Sequence, residues 1–150
     1  MYKATIDYIK TQLETKFDNV YVGEQDWQEI MKINKDIVEI LPSTGTRTPE
    51  GMSGVSKEQW NIQINVARKG MALKAEELEI VNLENMMTVI DLFKNKWAII
   101  TVGTGESSIS YQARFDATDY DASRILLDKE KGGGFYVTAC TVTIQTKITR

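Results

Sequence analysis

The densest group of side chains that could hold a cation or move a proton lies in segment 116–121, which reads DATDYD. It contains the carboxylates Asp116, Asp119 and Asp121. Hard cations such as Ca²⁺ take carboxylate oxygens as ligands, but the spacing lacks the glycine and the final glutamate of an EF-hand loop. We therefore predict a solvated loop with Asx turns. A site for a hard cation remains the alternative.

Residue types that most enzymes use are scarce in this chain. The sequence has no histidine and one cysteine, Cys140. Histidine nucleophile pairs, histidine bases and histidine-containing metal sites are thereby excluded, and so is a cysteine-based zinc site. Cys140 ends the apolar run YVTAC, which is typical of a buried strand. The glycines at 132–134 precede a strand instead of a helix, so they predict a hairpin tip and not a phosphate cradle. We expect no catalytic site, no metal and no cofactor.

Length and charge narrow the class of protein further. The chain has 150 residues, 26% of them charged, and a formal net charge of −3. This length suits one domain. The acidic balance argues against a surface that coats nucleic acid. No apolar run approaches the ~20 residues that span a bilayer. The polar start lacks a signal-peptide core, so we expect a cytoplasmic, membrane-free protein.

Apolar spacing predicts two helices and several strands. An amphipathic helix is expected over 2–17 and a central helix within 72–95, best patterned from Leu83 to Phe93. A short helical turn is expected within 25–33. Strands are expected at 19–23, 36–41, 57–68, 97–102, 108–116 and 135–148. Because the strands come in runs, they indicate an α+β fold with a mixed, mainly antiparallel sheet packed against both helices. No boundary is visible, so residues 1–150 are predicted to form a single domain.

The strand at 57–68 has the clearest alternation of apolar and polar residues. The apolar positions are Trp60, Ile62, Ile64 and Val66, and amides separate them. A period of two places all four on one face of a strand. We expect that face to be buried against the first helix. The amide-rich face should be wet, facing either solvent or another subunit.

A long loop is predicted at 42–56. Pro42 is expected to end the preceding strand, because proline cannot donate to a ladder. The segment contains both prolines of the chain and three of its ten glycines. Long irregular segments in compact domains are often functional. We expect this loop to be a principal assembly contact, with Arg47 and Glu50 making charged contacts and Met52 and Val55 acting as apolar anchors.

The order of these elements resembles that of the tail terminator proteins of long-tailed bacteriophages and of related tail-completion and neck proteins. The shared order is a first amphipathic helix at 2–17, a sheet interrupted by a long loop at 42–56, a central helix and a terminal strand pair. The resemblance implies a virion structural protein, not an enzyme. Six copies would form a ring that caps the tail tube protein and joins the tail to the head connector proteins, with DNA passing through the lumen without specific binding. Such a protein is assembled in the host cytoplasm and ends in the neck of the virion.

Two other classes of function remain open at this point. One is a non-viral, oligomeric interaction or adaptor domain. The other is an enzyme that works through the carboxylates at 116–121. A ring, or oligomerisation only on tail tubes, would favour the virion protein, whereas a monomer that binds Mg²⁺ or Ca²⁺ would favour the enzyme.

Overall fold

A curled, mostly antiparallel sheet of six strands organises the molecule, with two helices packed on it. The computed structural model describes residues 1–24, 36–50, 55–69, 75–128 and 133–149. The helical turn expected within 25–33 lies outside them. The elements in chain order are α1 (Tyr2–Glu14), β1 (Val20–Val22), β2 (Ile37–Glu50), β3 (Val55–Lys69), α2 (Ala75–Phe93), β4 (Lys96–Val102), a 3₁₀ turn (Gly105–Ser107), β5 (Ile109–Asp128) and β6 (Gly133–Thr149).

The strand order is β1-β2-β3-β6-β5-β4. Only β1 and β2 run parallel, and every other neighbouring pair is antiparallel. Two long hairpins, β2–β3 and β5–β6, therefore lie side by side in the middle of the sheet, joined through β3 and β6. The predicted α+β class, with a mixed, mainly antiparallel sheet and two helices, is confirmed. Among the described residues, no helix is long and apolar enough to cross a membrane.

The apolar core lies between the helices and one face of the sheet, which we call the inner face. The four alternating positions of β3 are buried there as predicted, in one cluster with α1 and α2. Their neighbours in that cluster from β6 and β5 are Cys140, Val142, Ile144, Ala113, Phe115 and Ala117. The strand register inferred from the alternation at 57–68 is therefore correct.

Both helices present an apolar stripe to this core, but less of each stripe than predicted. In α1, Ile9 and Leu13 are fully buried, whereas Tyr2 at its start stays half exposed. In α2, Met86, Ile90 and Phe93 are buried, while Leu83 and Met87 of the predicted stripe face outward. The helical period located both helices correctly. It could not show how much of each stripe the sheet covers.

The predicted loop at 42–56 is wrong over most of its length. Strand β2 continues through Pro42 to Glu50, and residues 55 and 56 belong to β3. Two features let the strand pass Pro42. The ladder shifts between Pro42 and Gly45, and β1 pairs with β2 only up to Ile40, so Pro42 lies on a strand edge where its missing N–H costs nothing. A Cβ on Gly45 would lie 3.1 Å from the Cβ of Trp60, so glycine suits this close crossing.

The predicted solvated loop at 116–121 is also wrong. These residues lie within β5, which continues to Asp128 and pairs with β6. The ladder shifts between Ala117 and Asp119, and this irregularity absorbs one residue. Strand β4 pairs with β5 only up to Phe115, so the rest of β5 is an edge strand. Polar residues are tolerated on such an edge because one side of the strand meets solvent.

Candidate assembly surface

The three carboxylates at 116–121 occupy register positions along one row of the sheet. Asp116, Asp119 and Asp121 lie opposite three alternate residues of β6, at positions 143, 141 and 139. Of the three, only the side chain of Asp116 is described. One of its oxygens lies 3.8 Å from an Arg114 nitrogen, and the other accepts a 3.4 Å hydrogen bond from the backbone N–H of Asn95. Within the described ranges, no three acidic or cysteine side chains are grouped closely enough to hold a metal ion.

Changing Asp116, Asp119 and Asp121 together to Asn should leave folding and assembly nearly unchanged. The Arg114 contact is partly exposed, and such ion pairs contribute about 0–1 kcal/mol. Thermal unfolding and the native mass of the triple variant should match those of the parent. Both proteins would also be titrated with Ca²⁺ and Mg²⁺. An ion that binds to the parent but not to the variant would show that these carboxylates form a cation site and would contradict the prediction.

Cys140 is buried in the core beneath the helices. Burial raises the pKa of its thiol to about 12, so the group stays protonated at neutral pH. A protonated, enclosed thiol is a poor nucleophile and a poor metal ligand. The interpretation of Cys140 as a buried strand residue is confirmed.

The face of the sheet opposite the helices, the outer face, carries amide and hydroxyl side chains that bond across strands. Thr143 donates to Asn61 Oδ1 at 3.1 Å, and Asn61 Nδ2 donates to Thr44 Oγ1 at 3.4 Å, which links β6, β3 and β2. Gln145 Nε2 also donates to Gln59 Oε1 at 3.3 Å. The network is uncharged, and its hydrogen bonds hold each side chain against its neighbours on the adjacent strands.

The amide-rich face is less uniformly wet than predicted. Near the start of β2, Asn65 is buried and its Nδ2 donates to the buried Glu39 carboxylate at 3.3 Å. Ile37, Ala67 and Val137 form a paired row beside them and are buried too, although they do not belong to the inner core. Other described positions of the outer face, such as Gln59 and Gln63 of β3 and Thr141 of β6, are exposed.

Surface recesses on the sheet include two that are lined by described residues. One, of about 170 Å³, is lined by Arg114, Asp116, Thr143 and Gln145. The other, of about 330 Å³, lies at the irregularity in β2, where Tyr2 donates a 2.9 Å hydrogen bond to the buried Glu58 carboxylate. The larger recess therefore holds hydroxyl groups beside the Glu58 carboxylate, and the smaller one holds the Arg114–Asp116 pair. Their chemistry suits polar contacts with another molecule.

The exposed apolar side chains of the described structure form the more unusual surface. On β4, Trp97 is 60% exposed and Ile99 is 71% exposed, both on the outer face. The Arg114 guanidinium lies 5.9 Å from the centre of the Trp97 ring, within cation–π range. On α2, Ile80, Leu83 and Met87 are 40–50% exposed. Large apolar residues gathered in this way on a surface indicate a contact with another protein.

The residues predicted from the sequence to lie at an interface are placed at the far end of the β2–β3 hairpin. Arg47 and Glu50 lie in β2, opposite Glu58 and Val55 respectively. Their side chains and that of Val55 are not described, and Met52 lies outside the described residues. The backbone therefore brings three of the four positions to one hairpin end. Trp97 and Ile99 were missed as surface residues, because an apolar run cannot reveal that its strand lies at an edge.

No family model matches this chain, and no curated protein matches it either.

Proposed function

We propose that this chain is a virion structural protein of the tail terminator type. Six copies form a ring that caps the tail tube and joins the tail to the head connector. The observation that supports this most is the presence of two separate apolar surfaces on one subunit, on α2 and on β4. A ring requires two different, complementary patches on each subunit, because every copy contacts one neighbour with each patch.

The outer face suits a lumen through which DNA moves. Its described network consists of Thr, Asn and Gln side chains, which carry no charge. Affinity for DNA comes mainly from Lys and Arg contacts to phosphates. Described cations on this face include Lys57, which is exposed, and Arg114, which is paired with Asp116. The uncharged, hydrogen-bonded side chains between them would let the duplex slide past, as a joining ring needs.

The β2–β3 hairpin offers a means of contacting a second protein in the tail. Beyond Ile40, the edge of β2 that faces away from β3 has no partner among the described strands, and β2 continues to Glu50. Ten residues of strand span about 33 Å. Because β3 pairs with β6 along its whole length, the hairpin stays within the sheet, and we expect this open edge of β2 to contact the tube or the connector.

The test is the native mass of the purified chain, followed by electron microscopy with tail tubes. We expect a species of six times the 17.0 kDa chain mass, or one that forms when tubes are added, and rings seated on tube ends. A chain that stays monomeric at every concentration and ignores tubes would contradict the proposal. An oligomer that forms readily but never binds tubes would instead favour a non-viral adaptor domain.

A further inference from the structure

Several edges of the described sheet are open, and those of β1, β2 and β5 carry features that hinder pairing with a further strand. Strand β1, at one end of the sheet, has three residues. Beyond Ile40, β2 contains Pro42 and a ladder shift that begins there. Beyond Phe115, β5 contains Asp116 and a ladder shift after Ala117. Short strands, proline, charges and bulges are the usual means of blunting an edge.

The edge of β4 lacks these features over most of its length. The strand has seven residues, from Lys96 to Val102, and its ladder with β5 runs without a shift. It contains no proline, and its one charged residue is Lys96 at the start. Among the described strands, β5 alone pairs with it. Such a regular, open edge is a template for a further strand.

Both ends of this edge are sharply defined. Asn95, directly before β4, has a φ of 48°, and Gly103, directly after it, has a φ of 90°. Such values lie outside the extended region, so the length that can pair is limited to the seven residues of the strand. The middle residue is Ile99, whose side chain is 71% exposed on the outer face. A partner that pairs with the whole edge is therefore centred on Ile99.

The same strand of a second copy fits this edge. Antiparallel pairing centred on Ile99 places the Ile99 side chains of the two copies next to each other on the outer face. Every other opposed pair joins two residues of the same face and includes an apolar residue: Trp97 with Thr101, Ala98 with Ile100, and Lys96 with Val102. The two Lys96 side chains lie at opposite ends of the ladder, about 20 Å apart, so like charges do not meet.

We infer that two copies of this chain pair through their β4 edges to form a reversible, two-fold dimer. The contact is isologous, so each copy supplies the same seven residues. Two short strands with two exposed apolar side chains each, Trp97 and Ile99, cover less than about 1,200 Å², the lower limit of standard stable interfaces. The dimer therefore dissociates readily. The inference rests on the proposed function in one respect: the ring also uses the apolar surface of β4, so the dimer has to open before the ring closes.

Engineered cysteines test the register of the pair. Ile99→Cys places two thiols directly opposite each other, at a Cα separation of about 4.5–5.5 Å that suits a disulfide, so mild oxidation should link two copies. Trp97→Cys alone and Thr101→Cys alone should stay unlinked, because equal positions then lie about 14 Å apart along the ladder. An equal mixture of these two variants should link. Cys140 is buried, so the parent should stay unlinked. Non-reducing gel electrophoresis measures all five samples.

A charge at the centre of the contact tests its strength. Ile99→Lys should raise the dissociation constant of the dimer at least about 10-fold, because it removes the central apolar contact and sets two like charges opposite each other. Val22→Lys is the matched control, since it makes the same kind of change at a 43% exposed position on β1, and it should leave the constant unchanged. Sedimentation equilibrium without tail tubes measures both. At low protein concentration both variants should unfold at the temperature of the parent, because both side chains are exposed.

The outcomes separate this inference from the proposed function. A mass of one chain at every concentration would overturn the inference and would leave a strand of another protein as the occupant of the edge. Rings that form while position 99 stays unlinked would overturn the inference and leave the proposed function standing. Links at position 97 alone, as strong as those at 99, would show random collisions and overturn it too. Linked dimers that form rings on tubes only after reduction would support both. Dimers that never bind tubes after reduction would support the inference and contradict the proposed function.

Discussion

Replacing Phe115 with alanine is expected to lower the free energy of unfolding by about 3–5 kcal/mol. The Phe115 ring is fully buried on β5, where two parts of the helical layer meet. It stacks on Tyr8 of α1 at a centroid distance of 5.3 Å and lies 5.9 Å from Phe93 of α2. Truncation removes both aromatic contacts and leaves a cavity that three elements would have to fill together. Relaxation is therefore limited, and the cost should lie at the upper end for a core residue.

The matched control lies on the same strand. Tyr120 is 47% exposed, so Tyr120→Ala should cost less than about 1 kcal/mol. Denaturant unfolding at equal protein concentration measures both variants, since self-association adds to apparent stability. Equal losses for the two substitutions would show that the ring of Phe115 is not part of the core.

The parts of the fold that the sequence predicted correctly are those in which neighbouring residues carry the information. The alternation from Trp60 to Val66 reports one buried face, and β3 has strands on both sides and helices above that face. The spacing of Ile9 and Leu13 reports the buried side of α1 in the same way. In both cases the period of the element alone decides which side chains are buried.

The predictions were wrong where residues far away in the sequence determine the local structure. Pro42 lies in a strand because β1 is too short to reach it and because the ladder with β3 shifts there. Asp116 lies in a strand because β6 pairs with it from across a hairpin. Turn-forming residues favour a loop locally, but a ladder partner far along the chain overrides that preference. No pattern within 42–56 or 116–121 contains that information.

The exposure of the residues on the candidate assembly surface could not be predicted from the sequence for the same reason. The run from Trp97 to Val102 was recognised as an apolar strand, but nothing in it tells an edge strand from a central one. Leu83 and Met87 belong to an apolar stripe, yet the sheet covers only the side of α2 that carries Met86 and Phe93. Exposure depends on strand order and on the helix position, and both are set by the whole fold.

Shortening the β2–β3 hairpin is expected to abolish the joining of tails to heads. The variant replaces residues 48–57 with Asn-Gly, a two-residue turn that closes antiparallel strands. Arg47 and Glu58 are ladder partners, so the turn connects a pair that already exists. Glu58 keeps its hydrogen bond from Tyr2, and Trp60 keeps its place in the core. Shortening the connection should change the closure entropy by less than about 1 kcal/mol. The end of β6 at 147–149 loses its β3 partners, but the ladder from Glu58 onward and the core cluster remain, so the fold should persist.

The readout is the yield of infectious particles when the variant is added to heads and tails that lack the ring. The variant should form rings, because it leaves the exposed apolar surfaces on α2 and β4 unchanged, but it should leave heads and tails unjoined. It loses Glu50, Met52 and Val55, three of the four predicted interface residues. A similar cut at the β5–β6 hairpin, in which Asn-Gly replaces the nine residues 126–134 between the ladder partners Ile125 and Phe135, is the control and should retain joining. If the shortened β2–β3 hairpin joins heads to tails as well as the parent does, the hairpin end is a tolerated extension and its assignment as an interface is wrong.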